Sequence, residues 1–90
     1  MLKESDLKQE IIPGNVLYKA SIISQGGVKI EVIGRYRENK LSYDVWVTTA
    51  NKSVCINPKN GQGQVAHYTT SSLAISKANR HLLRLNNNTY

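Results

Sequence analysis

Apolar and polar positions alternate along residues 15–23, 28–37 and 41–49, and again over a shorter segment, 53–56. Each segment is rich in Val, Ile, Thr and Tyr and is bounded by turn residues, the signature of half-buried β-strands. Their register can be tested, because a slip of one residue moves every side chain to the other face. A three-residue connection, Gln25-Gly26-Gly27, opposes Ile22 to Ile30, Ala20 to Val32 and Tyr18 to Gly34. A glycine supplies the positive φ such a loop needs. A two-residue turn at Asn39-Lys40 then opposes Tyr36 to Tyr43, Gly34 to Val45 and Val32 to Val47. On the other face the same turn sets Arg35 against Asp44 and Ile33 against Trp46, and a third turn at Asn51-Lys52 sets Val54 against Thr49.

The prediction is an α+β fold: a four-stranded antiparallel β-meander covered on one face by a C-terminal α-helix. The packed face runs from Val16, Tyr18, Ala20 and Ile22 through Val28, Ile30, Val32 and Tyr36 to Tyr43, Val45, Val47, Val54 and Ile56. Residues 72–85 supply the cover. On a helix, Ala74, Ile75, Ala78, Leu82 and Leu85 fall on one side, and Thr70, Ser71 or Ser72 can cap its start. Residues 57–69 are turn-rich, with 64–69 as an optional fifth, short edge strand. Residues 1–12 read as an arm or short helix ended by Pro13-Gly14. The single domain then spans 13–85, and residues 86–90 form a disordered tail.

Composition narrows the class. Ninety residues with 40% hydrophobic and 20% charged composition suit one globular domain. One cysteine excludes an internal disulfide framework. No apolar run is long enough for a membrane span, and the N-terminus lacks the apolar core of a signal peptide, so a cytoplasmic location is expected. Cys55, His67 and His81 have no paired metal-ligand spacing, so neither a metal nor a cofactor is expected. Gly61-Gln62-Gly63 lacks the Lys-Ser/Thr ending of a phosphate loop. No constellation of acid, base and nucleophile stands out, although a Cys55–His67 pair is chemically admissible. The chain is therefore read as a non-enzymatic binding module.

Charge indicates the kind of partner. The formal net charge is +6. Residues 1–10 hold two lysines against three acids, so residues 11–90 hold the other ten basic residues against Glu31, Glu38 and Asp44. A small basic domain attracts anionic partners, with nucleic acid the commonest. The face of the meander away from the helix carries Lys29, Arg35 and Arg37 around Trp46 and Ile33, with Lys40 and Lys52 at its turns. Cations beside an indole suit phosphate contact and base stacking. The blander reading has the arm covering Trp46 with Leu7 and Ile11. Lys77, Arg80 and Arg84 form a second basic stripe, placed opposite the helix's apolar side, which also suits a phosphate backbone or plain solvation. The alternative function is protein interaction or inhibition, of phage or mobile-element type. It would include homodimerisation through an exposed edge at 15–23 or 53–56.

Strands in a meander followed by a helix resemble the sheet-plus-helix arm-binding domains of some phage and transposon integrases. The order also resembles the later part of double-stranded-RNA-binding domains. That second family has a Ser-Lys-Lys pattern at the start of its last helix. Here the position reads Thr70-Ser71-Ser72-Leu73-Ala74, with no lysine until Lys77. The resemblance is topological and no family residues carry over.

Overall fold

Turn chemistry sets the strand order. The computed structural model describes residues 1–87, so residues 88–90 of the expected tail lie outside the described residues. Pro13-Gly14 puts proline first and a glycine at φ +79° second in a tight turn. The chain reverses there, and Lys8–Ile12 (β1) pairs antiparallel with Asn15–Ile23 (β2). The dipeptide expected to stop a helix is thus a hairpin turn. The arm's helical part is a single 3-10 turn, Glu4–Asp6.

The β2–β3 connection follows the predicted register: Ile22 faces Ile30, Ala20 faces Val32 and Tyr18 faces Gly34, with β3 spanning Lys29–Arg37. Gly27 sits at φ +86° and donates its N–H to the Ser24 carbonyl at 3.0 Å.

The next two hairpins each differ from expectation by two residues. The β3–β4 turn is Glu38-Asn39, both at positive φ (52° and 65°), which is the backbone of a type I′ turn. β4 spans Lys40–Thr48, so Gly34 faces Tyr43, Val32 faces Val45 and Ile30 faces Val47, while Arg35 faces Ser42 and Glu31 faces Trp46. Two contacts reward this register. The Tyr43 ring lies over the bare Cα of Gly34, so close that a Cβ there would sit 2.6 Å from the ring. Arg37 also reaches Asp44 diagonally, at 2.7 Å. β5, Ser53–Cys55, follows a loop closed by the Thr49 N–H on the Lys52 carbonyl at 2.9 Å, and Val54 faces Val47 rather than Thr49. A slip of two keeps every residue on its predicted face, so the division into two faces stands although the partners change.

The result is a five-stranded antiparallel sheet in the order β1-β2-β3-β4-β5, with one helix, α1 (Ser71–Asn87), packed on it. The fifth strand is β1. Within 64–69 the pairing with β4 is a single bridge, Tyr68 to Tyr43. Ile30, Val32 and Val45 are fully buried beneath Ala74, Ile75, Ala78 and Leu82. Each buried Ile or Leu there contributes about 1.5–3 kcal/mol by leaving water. Thr70 caps α1, its hydroxyl accepting the Leu73 N–H at 3.2 Å. The arm seats on α1: Leu2 is buried, and its N–H and carbonyl bond the Asn79 side chain at 2.8 and 2.9 Å. Asn86 and Asn87, expected in the disordered tail, lie within α1, and Asn86 accepts the Gln25 N–H at 2.9 Å. Tyr36, placed in the core by its alternation, is 52% exposed. It lies beyond the reach of α1 and meets Tyr18 edge-on, centroids 6.4 Å apart.

The outer edge of β4 is completed in three pieces. β5 pairs its Trp46–Thr48 portion, the Tyr68 backbone bonds Tyr43 in both directions at 2.8 and 2.9 Å, and the Asn57 side chain fills the gap between. Asn57 accepts the Val45 N–H at 2.8 Å and donates to Asp44 Oδ1 at 2.8 Å and to the Ala66 carbonyl at 3.0 Å. A buried N–H left without an acceptor costs about 1–3 kcal/mol. Asn57→Ala is therefore expected to lower unfolding stability by about 2–4 kcal/mol and to speed amide exchange at Val45. Denaturant titration and hydrogen exchange measure the two effects, and an unchanged Val45 amide would contradict the bridging role.

Candidate nucleic-acid interface

Two basic surfaces are legible in the sequence, and the structure treats them differently. The first is the sheet face away from α1. Among the described residues no helix or strand covers it, and the arm lies on the helix side, so it does not cover Trp46. The indole is half-buried, between Glu31 on β3 and Cys55 on β5. Leu17 and Asp44 on this face are buried, and Ile33, Arg35 and Arg37 are half-buried. The large side chains of this face shield one another.

Three of its cations are matched. Lys29 pairs with Glu31 at 3.7 Å, Lys19 with Glu10 at 3.1 Å and Arg37 with Asp44 at 2.7 Å. Arg35, predicted to face Asp44, faces Ser42 instead, and its Nε is buried without a hydrogen-bond partner. Lys40 opens β4 and Lys52 lies in the loop after it. A nine-residue strand at about 3.3 Å per residue separates them, so the two turn lysines do not converge on the indole.

Asp44 is the most connected charge among the described residues. Its carboxylate accepts from Arg37 Nη2, from Asn57 and from His67 Nδ1 at 2.5 Å, while Arg37 Nη1 also donates to the Ser42 hydroxyl. Burial alone would raise the Asp44 pKa. The hydrogen bonds from His67 and Arg37, with their charges, outweigh it and hold the carboxyl below the usual range. A His–carboxylate pair is half of a general-base device, but among the described residues no serine or cysteine is hydrogen-bonded to His67, and none of their His, Cys, Asp and Glu side chains cluster in threes as a metal site would need. The pair ties the 57–67 loop to the sheet. No local pattern foreshadows it, because His67 and Asp44 are 23 residues apart.

The second surface is a flank of α1. Lys77, Arg80, His81 and Arg84 line a groove of about 360 Å³ together with Ile56 and Tyr68. Sequence periodicity sets the stripe on the side opposite the sheet. The structure instead places it on a flank, beside the buried Ala78 and Leu82 and facing Ile56, the residue after β5. α1 contains no Asp or Glu, and among the described residues no ion pair involves Lys77, Arg80 or Arg84. Burial, and then the neighbouring Arg84, hold the His81 pKa below the ordinary imidazole value, so its ring is neutral near pH 7 and adds no charge. Tyr68, at the groove floor, has no role predicted from sequence. Its bridge to Tyr43 places it there.

Comparison with protein-family models, with curated proteins and with solved structures finds no match to this chain. No helix among the described residues is long and apolar enough to cross a membrane.

The Asp44 network has a pH signature. Its folded pKa lies below the unfolded value, so its contribution is fully present above the ordinary Asp value, about 3.9, and is lost as pH falls below that toward the folded pKa. Asp44→Asn is expected to cost about 1–3 kcal/mol at neutral pH and to lose less stability than the wild type between neutral pH and about pH 3. Urea unfolding of both proteins at the two pH values checks this, and parallel losses would show that the carboxylate is not held down.

Proposed function

We propose that this chain is a small, non-enzymatic nucleic-acid-binding module that follows a phosphate backbone along the β5-facing flank of α1. The observation that carries the reading is the charge distribution. Three of the acids, Glu10, Glu31 and Asp44, pair with cations on the sheet's uncovered face, whereas Lys77, Arg80 and Arg84 share a helix without an acid. An anion approaching the sheet competes with existing carboxylates; the β5-facing groove of α1 is lined by none, and Glu4, bonded to the Ser71 hydroxyl, lies with Arg80 on the helix's other flank. From Lys77 to Arg84 the helix advances about 10 Å at 1.5 Å per residue, which matches the axial rise of about three nucleotides, 3.4 Å each along the duplex axis. Ile56 and the buried Tyr68, which line the groove, offer apolar and aromatic contact beside the charges. Arg35 and Trp46 remain secondary contacts on the sheet face, where the indole's exposed part can stack on a base.

Fluorescence anisotropy with labelled duplex DNA, single-stranded DNA and RNA tests this. Binding tighter than about 10⁻⁴ M at physiological salt is expected, with log K falling against log salt at a slope of about −2.7 for three duplex contacts. Arg80→Gln with Arg84→Gln should remove about two-thirds of that slope, whereas Lys29→Gln should change it little. Binding weaker than about 10⁻⁴ M at low salt, or a loss that follows Lys29 rather than the helix arginines, overturns the reading.

A further inference from the structure

Lys8–Ile12 is an edge strand whose five residues are all exposed, Ile11 at 76% and Ile12 at 38%. It pairs β2 on one side and, among the described residues, nothing on the other. The free edge expected from sequence at Asn15–Ile23 is not one, since that strand is interior, paired by β1 and β3. The far edge, β5, has three residues.

An unpaired edge is a template for another strand, and native proteins blunt such edges with charges. Lys8 and Glu10 are such charges, but among the described residues no ion pair involves Lys8, and Asp6, which lines the same hollow, is bonded to the Lys3 N–H. Lys8 faces Lys19 directly, and Glu10 gives its own ion pair to that same Lys19 at 3.1 Å. Like charges facing each other across a ladder are destabilising.

We propose that β1 is a homodimer interface: two copies pair β1 against β1, antiparallel, about a two-fold axis perpendicular to the sheet. Opposed residues of an antiparallel pair share a face, so such an axis must pass between a residue and its own copy. With Gln9 on the axis, Lys8 faces Glu10 of the second copy twice over, and Ile11 faces Leu7. With Lys8 or Glu10 on the axis, like charges meet. With Ile11 on the axis, Glu10 faces an isoleucine and Lys8 passes beyond the strand. One register therefore satisfies both charges and gives Lys8 an ion-pair partner. It joins the two sheets into one, with both helices on the same face. The charges that repel a random strand select this one.

Charge reversal tests the register. Lys8→Glu and Glu10→Lys each set like charges across the axis, and each should weaken dimerisation by about tenfold or more. An equimolar mixture of the two variants restores opposite charges at both positions and should dimerise again, as heterodimer. Sedimentation equilibrium reads all three samples. Thermal melts of dilute Lys8→Glu should show a monomer at least as stable as wild type, because the substitution sets a carboxylate opposite Lys19. A wild-type chain that stays monomeric up to about 1 mM, a dimer indifferent to both reversals, or a mixture that stays monomeric overturns the proposal.

Discussion

One side chain stands in for a missing stretch of strand. β4 lies at the centre of the buried core through Val45, yet β5 pairs only part of its outer edge. Between β5 and the Tyr68 bridge the edge would expose the Val45 N–H inside the fold, and Asn57 accepts it. A primary amide suits this position because it carries an acceptor and two donors in one plane. Asn57 uses its donors on Asp44 and Ala66, so the same side chain that completes β4 also fixes the start and end of the 57–67 excursion. That excursion delivers His67 to Asp44 on one face and Tyr68 to the α1 groove on the other. Both features depend on the pinned loop.

Charge pairing then divides the surface. β-sheet geometry brings acids and bases from neighbouring strands within reach, and Lys19, Lys29 and Arg37 each find one. The α1 cations have acid-free neighbours on their own helix, and the turn toward β5 gives them Ile56, Tyr68 and a neutral His81 instead. Surface pairs of this kind contribute little to stability, about 0–1 kcal/mol each. Their effect on an approaching anion is larger, because a paired cation offers a reduced local field. The two surfaces thus differ in the acids that stand among their cations: Glu10, Glu31 and Asp44 on the sheet face and none on α1 itself.

The edges and the core meet different demands. On the helix side, Tyr43 over Gly34 shows how closely the interior is fitted, since the glycine leaves the space its neighbour's ring occupies. At β1 the same sheet ends in an exposed strand whose charges are only half balanced by the chain itself.

Residue order alone sets which residues share a face, where the helix lies and which side of it is apolar. Those properties rest on local periodicity, two for strands and 3.6 for helices, and survive any change that preserves parity. It could not fix the pairing of β3 with β4 or of β4 with β5, because a two-residue slip leaves the hydrophobic pattern unchanged. The choice rests on Tyr43 meeting Gly34 and Arg37 meeting Asp44, contacts invisible until the strands are side by side. Pro13-Gly14 reads alike as a helix stop and as a hairpin turn, and pairing with β2 decides it. Which cations remain unmatched was likewise a tertiary outcome: Coulomb attraction depends on distance in space, and the chain order of Arg37, Asp44 and His67 says nothing of their meeting.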